Sequence, residues 1–257
     1  MYLAIAPQPD CASAWREAVR AVNLQHRHSA YNVIIDVADP TINTTRLDPR
    51  IAVVEDFLVG YGKSVEAVAN TIFPAGLYSR YGAPAFFDVF NDKVLPKVRK
   101  NGRWSGYYFE RMTRLPLAAG GSTNQLWGIV ERLRDGHVKA LNKFELSLFD
   151  PERDVDGSPY GGQCLSFLSF KILRANTKTL ALTAMYRNHY YIEKLLGNLI
   201  GLGRLMSFIA RETGIEVGPL TVVSTHAVID QAGRCSRPDI AKLLSRFDQA
   251  GTAHRAT

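Results

Sequence analysis

The sequence predicts an α+β fold in which a mainly antiparallel or mixed sheet packs against one long buried helix. Three features of the chain support this class. Residues 12–22 and 123–134 carry apolar side chains at the spacing of amphipathic helices. The runs CLSFLSFKIL and TLALTAMYR are typical of strands, and the four residues between them supply a turn. Residues 191–212 then change to helical periodicity.

The first predicted elements form one α+β layer. A helix over residues 12–22 is followed by a strand over residues 31–37, which stops at an Asp-Pro pair. Residues 51–59 are predicted as a second strand. Residues 64–73 are predicted as a helix that the following proline ends.

The middle and end of the chain are less uniform. Residues 75–121 are rich in glycine, proline and aromatic side chains, and their weak periodicity predicts a long decorated segment. The helix over residues 123–134 and a strand over residues 144–149 follow. After the long helix, a strand over residues 220–229 and a short helix over residues 238–247 precede a tail predicted to be frayed.

The predicted hairpin brings a thiol and a guanidinium together. A turn centred between Ala175 and Asn176 makes Cys164 and Arg187 direct cross-strand neighbours, with Cβ atoms about 5 Å apart. A bulge would shift this register. A nearby arginine favours the thiolate over the thiol, which is one way to make a cysteine nucleophilic.

Two polar residues lie on otherwise apolar elements. Asn198 falls on the apolar face of the long helix, where an amide is costly unless the protein or a ligand pairs it. His226 lies within the β-branched run of the last strand. Taken singly, Cys164 and His226 are more often core residues than functional ones. No second histidine at metal-ligand spacing accompanies His226, so no metal site is predicted.

Composition favours one globular domain over residues 1–257. The chain is 46% hydrophobic and 21% charged, which suffices for a large core. No stretch approaches the roughly 18 apolar residues that span a bilayer, and the first residues lack a basic segment ahead of an apolar one. We therefore expect a soluble, cytoplasmic protein without membrane association. The cysteines, 3 in number, are far apart, which excludes a disulfide framework and a paired-cysteine zinc site.

Charge and glycine motifs exclude two further classes. The net charge of +7 comes from basic residues spread along the chain, so polynucleotide binding is not favoured and a small anionic ligand fits equally well. GYGKS lacks the first glycine of a phosphate loop, since Phe57 stands there. Gly197, Gly201 and Gly203 do not follow a strand as in a dinucleotide site, and close helix packing explains them better.

Several motifs occur in one order between residues 162 and 230. A cysteine opens a strand in GGQCLSF, a hairpin follows, YRNHYYIEKLLGN places an asparagine 11 residues after its arginine, and THAV lies on a later strand. Upstream, TNQLWGIVERLR and NKFELSLFDP supply a helix and a strand. Together these motifs resemble thymidylate synthases and the related pyrimidine nucleotide hydroxymethylases. The resemblance implies a thymidylate synthase-like fold and a homodimer that packs its sheets face to face.

The resemblance also implies a reaction. A one-carbon unit would pass from 5,10-methylenetetrahydrofolate to C5 of a pyrimidine nucleoside monophosphate, by methylation or hydroxymethylation. Cys164 would add to C6 of the base, and Arg187 would hold the 5′-phosphate. Asn198 would read the O4 and N3 edge, and His226 would hold a sugar hydroxyl. Tyr108 resembles the family tyrosine near the cysteine.

The chain departs from the family pattern around the nucleotide. Gln163 and Leu165 flank the cysteine where the family has proline and histidine. Asn188 replaces the serine that follows the phosphate arginine and is taken as a substrate-binding candidate. Asn142 and Lys143 correspond to paired arginines from the partner subunit, and Lys143 is the remaining cation. The phosphate site is therefore reduced or rebuilt.

The proton-transfer glutamate is also altered. The family position aligns with Glu66 or, in the better register, with Asn70, which cannot titrate as a base. No C-terminal segment that would close over folate is recognisable. An alternative hypothesis is therefore a catalytically silent homologue that binds a nucleotide as a sensor or partner subunit. A general cysteine hydrolase with His189 as base is a third reading.

Overall fold

The computed structural model describes residues 2–98, 107–135, 137, 140–155, 163–174 and 177–255. The α-helices are α1 (Cys11–Asn23), α2 (Pro49–Gly60), α3 (Val65–Ile72), α4 (Ala75–Tyr81), α5 (Ala85–Val89), α6 (Leu95–Val98), α7 (Tyr108–Thr113), α8 (Gln125–Arg134), α9 (Leu195–Thr213) and α10 (Arg237–Arg255). The strands are β1 (Leu3–Ala4), β2 (Ser29–Val37), β3 (Leu115–Pro116), β4 (Ser122–Thr123), β5 (Glu145–Ser147), β6 (Leu165–Arg174), β7 (Lys178–Tyr186), β8 (His189–Tyr190) and β9 (Glu216–Val228). The predicted α+β class with a mixed sheet is confirmed.

The main sheet has the order β1-β2-β9-β7-β6-β5, and the short β8 also pairs with β9. The pairs β2–β9, β6–β7 and β5–β6 are antiparallel, whereas β1–β2, β7–β9 and β8–β9 are parallel. Tyr186 at the end of β7 is opposite Ser224 on β9. The C-terminal ends of β7 and β9, where Arg187 and His226 lie, therefore meet at one end of the sheet.

The long helix is buried, as predicted, and begins at Leu195. Its glycines allow close approach of other backbone segments. A Cβ on Gly197 would lie 2.6 Å from Val68 Cβ on α3, and one on Gly203 would lie 2.1 Å from the carbonyl oxygen of Pro40. Real Cβ atoms cannot approach so closely, so close packing is confirmed as the reason for these glycines.

The predicted strand over residues 51–59 is wrong, because these residues form helix α2. The carboxylate of Asp48 caps this helix by accepting from the Arg50 amide at 2.8 Å, and a proline occupies the first turn. Its buried side chains recur at helical spacing: Ile51, Val54, Glu55 and Leu58. The cap and the 3.6-residue period outweigh the β-branched content of the segment.

The described parts of residues 75–121 fold as short helices and a small hairpin of β3 and β4. The segment contributes to the hydrophobic core, because its side chains Phe86, Phe87 and Phe90 are buried. Helix α10 continues well past residue 247, into the segment predicted to be a frayed tail. Among the helices described, none combines the length and hydrophobicity required to cross a membrane.

Candidate active site

The predicted neighbours Cys164 and Arg187 lie together, although by a different route from the one expected. The ladder pairs Arg174 with Lys178, one residue out of the predicted register, and residues 175 and 176 lie outside the described residues. Continued unchanged, this register would place Asn188 opposite Cys164. A bulge between Leu165 and Phe167 shifts the pairing back. The Arg187 amide then donates to the Cys164 carbonyl at 2.9 Å.

Backbone carbonyls position the Arg187 guanidinium. Its Nε donates to the Gln163 carbonyl at 2.9 Å, and Nη1 donates to the Asp154 carbonyl at 3.1 Å. The guanidinium also lies over the Phe149 ring, 5.3 Å from its centroid. Because these carbonyls are neutral, the charge of Arg187 is not cancelled by them.

A buried ion pair supports the segment that orients Arg187. Both oxygens of the Asp154 carboxylate accept from Arg111, at 2.8 and 3.1 Å. The carboxylate also accepts from the Gln163 amide at 3.2 Å. Asp154 thus links α7 to the residue before Cys164 and to Arg187, a role that the sequence did not indicate.

The Cys164 thiol is half-buried, and opposing effects act on its pKa. Burial raises the pKa, whereas Arg187 and Lys194 lower it; the balance is a raised pKa. The predicted effect of Arg187 is therefore present but outweighed in the free protein. Lys194, just before α9, is a second cation that sequence reasoning missed.

Two tyrosine hydroxyls belong to the same cluster. Tyr108 accepts a hydrogen bond from the Leu165 amide at 3.4 Å, which places the predicted tyrosine next to the cysteine. Burial and the neighbouring Cys164 raise the pKa of Tyr108, so its hydroxyl stays protonated near neutrality. Tyr186 packs edge-on to Tyr108, with ring centroids 6.4 Å apart. Its buried hydroxyl has no hydrogen-bond partner among the described residues, and the sequence analysis did not select it.

Asn198 is only half paired by the protein. The side chain is 3% exposed, and Nδ2 donates to Nε2 of His189 at 2.9 Å. Its Oδ1 is buried without a hydrogen-bond partner in the described part of the chain. The sequence left open whether the protein or a ligand pairs the Asn198 amide. The protein pairs the donor Nδ2, and the acceptor Oδ1 is left for another group.

His189 is buried between aromatic rings and is fully engaged. Its ring stacks on Tyr186 at 4.0 Å, and Nδ1 lies 2.9 Å from Ser224 Oγ. Burial lowers the pKa of His189 to about 3. Because both ring nitrogens are bonded elsewhere, His189 is not placed as a base for Cys164, and the hydrolase reading is not supported.

His226, predicted to hold the sugar, contacts the substrate-binding candidate Asn188. Oδ1 of Asn188 lies 2.7 Å from Nδ1 of His226. The His226 ring also lies 5.2 Å from the exposed ring of Tyr31, its cross-strand neighbour on β2. Asn188, just after β7, and His226, on β9, therefore form one polar group at this end of the sheet.

The candidates for proton transfer are held on the surface. Glu66 is exposed on α3 and accepts from Arg204 at 2.7 and 2.9 Å. Asn70 donates to Glu66 at 3.1 Å. The bond to Arg204 lowers the pKa of Glu66. Asn70 is thus bonded to Glu66, and Glu66 is bonded to α9.

Lys143 is exposed in a short 3₁₀ turn before β5, and its carbonyl accepts from Arg132 at 3.1 Å. A cavity of about 480 Å³ is lined by Arg111 and by residues 114–118 and 147–153, and its lining includes neither Lys143 nor Arg187. In the part of the chain that the structure describes, no group of histidine, cysteine, aspartate or glutamate side chains could hold a metal ion.

Comparison with known proteins gives one distant relative. A protein of Methanothermobacter marburgensis named "Putative thymidylate synthase" is 28% identical over 142 residues, covering 55% of this chain and 57% of the relative. The chain thus spans just over half the length of that relative. No family model matches the sequence. The similarity supports a distant relationship to thymidylate synthases.

Proposed function

We propose that this protein transfers a one-carbon unit to C5 of a pyrimidine nucleoside monophosphate, with Cys164 as the covalent nucleophile. One observation carries the proposal: Cys164 and Arg187 are joined by a backbone hydrogen bond, and Arg187 lowers the pKa of the half-buried thiol. The buried Oδ1 of Asn198, which has no partner among the described residues, adds an acceptor for the base. A thiol, a cation and a base-reading amide are the groups that covalent activation of a pyrimidine requires.

Arg187 is the proposed phosphate ligand. Its Nε and Nη1 are held by carbonyl groups, so the guanidinium is positioned before the ligand arrives. A planar guanidinium suits phosphate oxygens. Asn188 and His226 are proposed to contact the sugar from the adjoining end of β9. Lys143 would act, as the resemblance implies, only on a site of a partner subunit.

The half-buried Cys164 thiol must lose its proton to solvent before the sulfur attacks. The cations Arg187 and Lys194 favour the thiolate, and burial disfavours it. The sulfur electron pair then forms the S–C6 bond, and the C5=C6 π pair moves to C5 and O4. The buried Tyr186 hydroxyl, which has no partner among the described residues, is available as a hydrogen-bond donor in this cluster. These steps make C5 a carbon nucleophile.

The carbon donor implied by the resemblance is 5,10-methylenetetrahydrofolate, which supplies a one-carbon unit at the methylene level when bound. Two observations do not fit this reduced folate. Glu66 forms an ion pair with Arg204 on the surface. Helix α10 packs its Phe247 against Trp15 of α1. Neither the glutamate nor the C-terminal helix is arranged around Cys164. The mechanism above therefore stops at the activated nucleotide.

A silent nucleotide-binding homologue is the second candidate, and the Glu66–Arg204 pair favours it. Asn70 also cannot act as a base. A protein of this kind would bind a pyrimidine nucleotide through Arg187 and Asn198 and would form no lasting bond at Cys164. It would serve as a sensor or partner subunit.

We also propose a homodimer that packs two sheets face to face. The outer face of the sheet includes Leu173 and Met185, which are 43% and 41% exposed. A second copy would bury these side chains. Sedimentation at micromolar concentration tests this assembly, and a monomer contradicts it.

Intact-mass measurement separates the two functions. Wild-type protein is incubated with 5-fluoro-dUMP, with and without methylenetetrahydrofolate. An adduct that forms with the folate and disappears in Cys164→Ser supports the transferase. Cys235→Ser is the matched control, because Cys235 is buried and should leave adduct formation intact.

Binding without an adduct supports the silent homologue. Thermal shift with dUMP and dCMP measures that binding, because a ligand of the native state raises apparent stability. Undiminished turnover in Cys164→Ser contradicts the mechanism. Failure of both nucleotides to raise the melting temperature contradicts both candidates.

A further inference from the structure

We infer that His189 is a positioning residue that holds the Asn198 carboxamide in one orientation and so sets which pyrimidine the site accepts. The inference rests on the proposed function, because it concerns how the same site reads the base. It gives a role to His189, which lies within YRNHYYIEKLLGN but to which the resemblance assigned none.

The hydrogen-bond chain defines the protonation of the ring. An amide nitrogen can only donate, so Asn198 Nδ2 fixes Nε2 of His189 as the acceptor at 2.9 Å. The proton of the neutral ring is therefore on Nδ1, which donates to Ser224 Oγ at 2.9 Å. Tyr191 donates to the same oxygen at 3.2 Å.

Packing holds the ring in place. His189 is 1% exposed and stacks on Tyr186, with an angle of 13° between the planes. Tyr191 lies edge-on to it at 5.4 Å. A buried, stacked and uncharged ring in this tautomer is an acceptor for Asn198.

The fixed acceptor has a consequence for the ligand. A terminal amide has two orientations that differ by a half-turn. Reversal would set Asn198 Oδ1 against the unprotonated Nε2, with two acceptors facing each other. The observed orientation instead keeps Oδ1 as a buried acceptor with no partner in the described residues. Such an acceptor selects a base with an N–H donor there.

Two pyrimidines offer that donor at different places. Uracil has it on ring N3, and cytosine has it on the exocyclic N4 amine. An Asn198 amide held in one orientation accepts a hydrogen bond better from one of these two donors than from the other. The expected result is that one of dUMP and dCMP binds about tenfold or more tightly than the other.

The first test reads the ring itself. Nitrogen-15 NMR of the wild-type protein should show His189 as the Nδ1–H tautomer, unchanged between about pH 5 and pH 8, because its pKa is lowered to about 3. An Nε2–H tautomer or a charged ring would mean that the amide is reversed, and it would overturn the inference. This measurement needs no ligand, so it holds even if the proposed function fails.

The second test uses His189→Phe, which keeps an aromatic ring beside Tyr186 and removes both nitrogens. Calorimetric titration with dUMP and dCMP should show that the preference between them collapses toward unity. In an Asn198→Ala background, His189→Phe should cause no further loss of preference. An additive loss, or a preference retained in the single variant, would contradict positioning through Asn198.

Failure of the proposed function and failure of the inference about His189 give different results. If the wild-type protein binds neither nucleotide, the proposed function fails, and the tautomer measurement still tests the positioning. If the wild type binds and discriminates but His189→Phe discriminates equally, only this inference fails. Should His189→Phe not fold, the tautomer decides alone.

Discussion

The Arg187 amide donates to the Cys164 carbonyl at 2.9 Å, and a bulge between Leu165 and Phe167 makes this pairing possible. Without the bulge, the register of β6 and β7 would offer Asn188 to the cysteine. The same shift pairs Leu165 with Tyr186, and both side chains are buried. The one extra residue of the bulge thus sets both the buried pair of Leu165 and Tyr186 and the adjoining pair of Cys164 and Arg187.

Arg187→Met should slow alkylation of Cys164. Arg187 lowers the pKa of this thiol, so its removal should raise the pKa and reduce the thiolate fraction near pH 8. Iodoacetamide rates between about pH 7 and pH 10, followed by mass spectrometry, measure this effect. Arg174→Met is the control, because this exposed arginine lies at the other end of β6. Equal rates in both variants would contradict the electrostatic pairing.

The hairpin shows how far sequence reasoning reaches. The composition of the two runs predicts β6 and β7, and the turn centre placed between Ala175 and Asn176 predicts the pair of Cys164 and Arg187. The bulge was not readable, since Ser166 is an ordinary residue within LSFLSF. The correct pair followed because the bulge and the misplaced turn centre offset each other by one residue.

The other errors have physical reasons of the same kind. Residues 51–59 were assigned to a strand from local composition, although Asp48 and the next proline are a helix start. The partner of Asn198 is His189 on β8, and only the fold brings these residues together. A contact between two elements leaves no pattern in the neighbouring sequence, whereas a helix cap such as Asp48 can be read from adjacent residues.

Gly197→Ala should destabilise the fold. The added Cβ would lie 2.6 Å from Val68 Cβ and 2.7 Å from the Val65 carbonyl oxygen, so α3 and α9 must separate. We expect a loss of about 1–3 kcal/mol in unfolding free energy from urea denaturation. Gly76→Ala is the matched control, because α4 offers open space there and alanine is the better helix former, by about 0.5–1 kcal/mol. A neutral Gly197→Ala would show that the helices are not in tight contact.

Arg111→Met should destabilise the protein and weaken nucleotide binding together. It leaves the carboxylate of Asp154 buried without its main cation, and loss of one partner of a buried pair costs about 3–5 kcal/mol. The Asp154 carbonyl also positions Arg187, so the thermal shift with nucleotide should fall. Adding Asp154→Asn to Arg111→Met should recover part of the stability, because no isolated charge remains. A double variant less stable than Arg111→Met would contradict this account.

Asp230 should make the protein less stable as the pH rises from about 4 to about 6. Burial, with a smaller effect of Glu193, raises the pKa of Asp230 to about 6 from 3.8. The folded state therefore binds this proton more tightly than the unfolded chain does. The stabilisation is complete below the unfolded pKa and is lost as the pH passes the folded one. The pKa difference corresponds to roughly 2–3 kcal/mol.

Asp230→Asn isolates this effect, because Asp230, just after β9, binds the segment that leads into α9. The carboxylate accepts from the Ile192 amide at 2.8 Å, and an asparagine oxygen can accept the same bond without a charge. Urea denaturation at several pH values should give a flatter profile for Asp230→Asn and higher stability than wild type near pH 7. Asp88→Asn, an exposed change on α5, should keep the wild-type slope. A variant that is less stable than wild type near pH 7 would show that the carboxylate is needed as an anion, and would place a cation near Asp230.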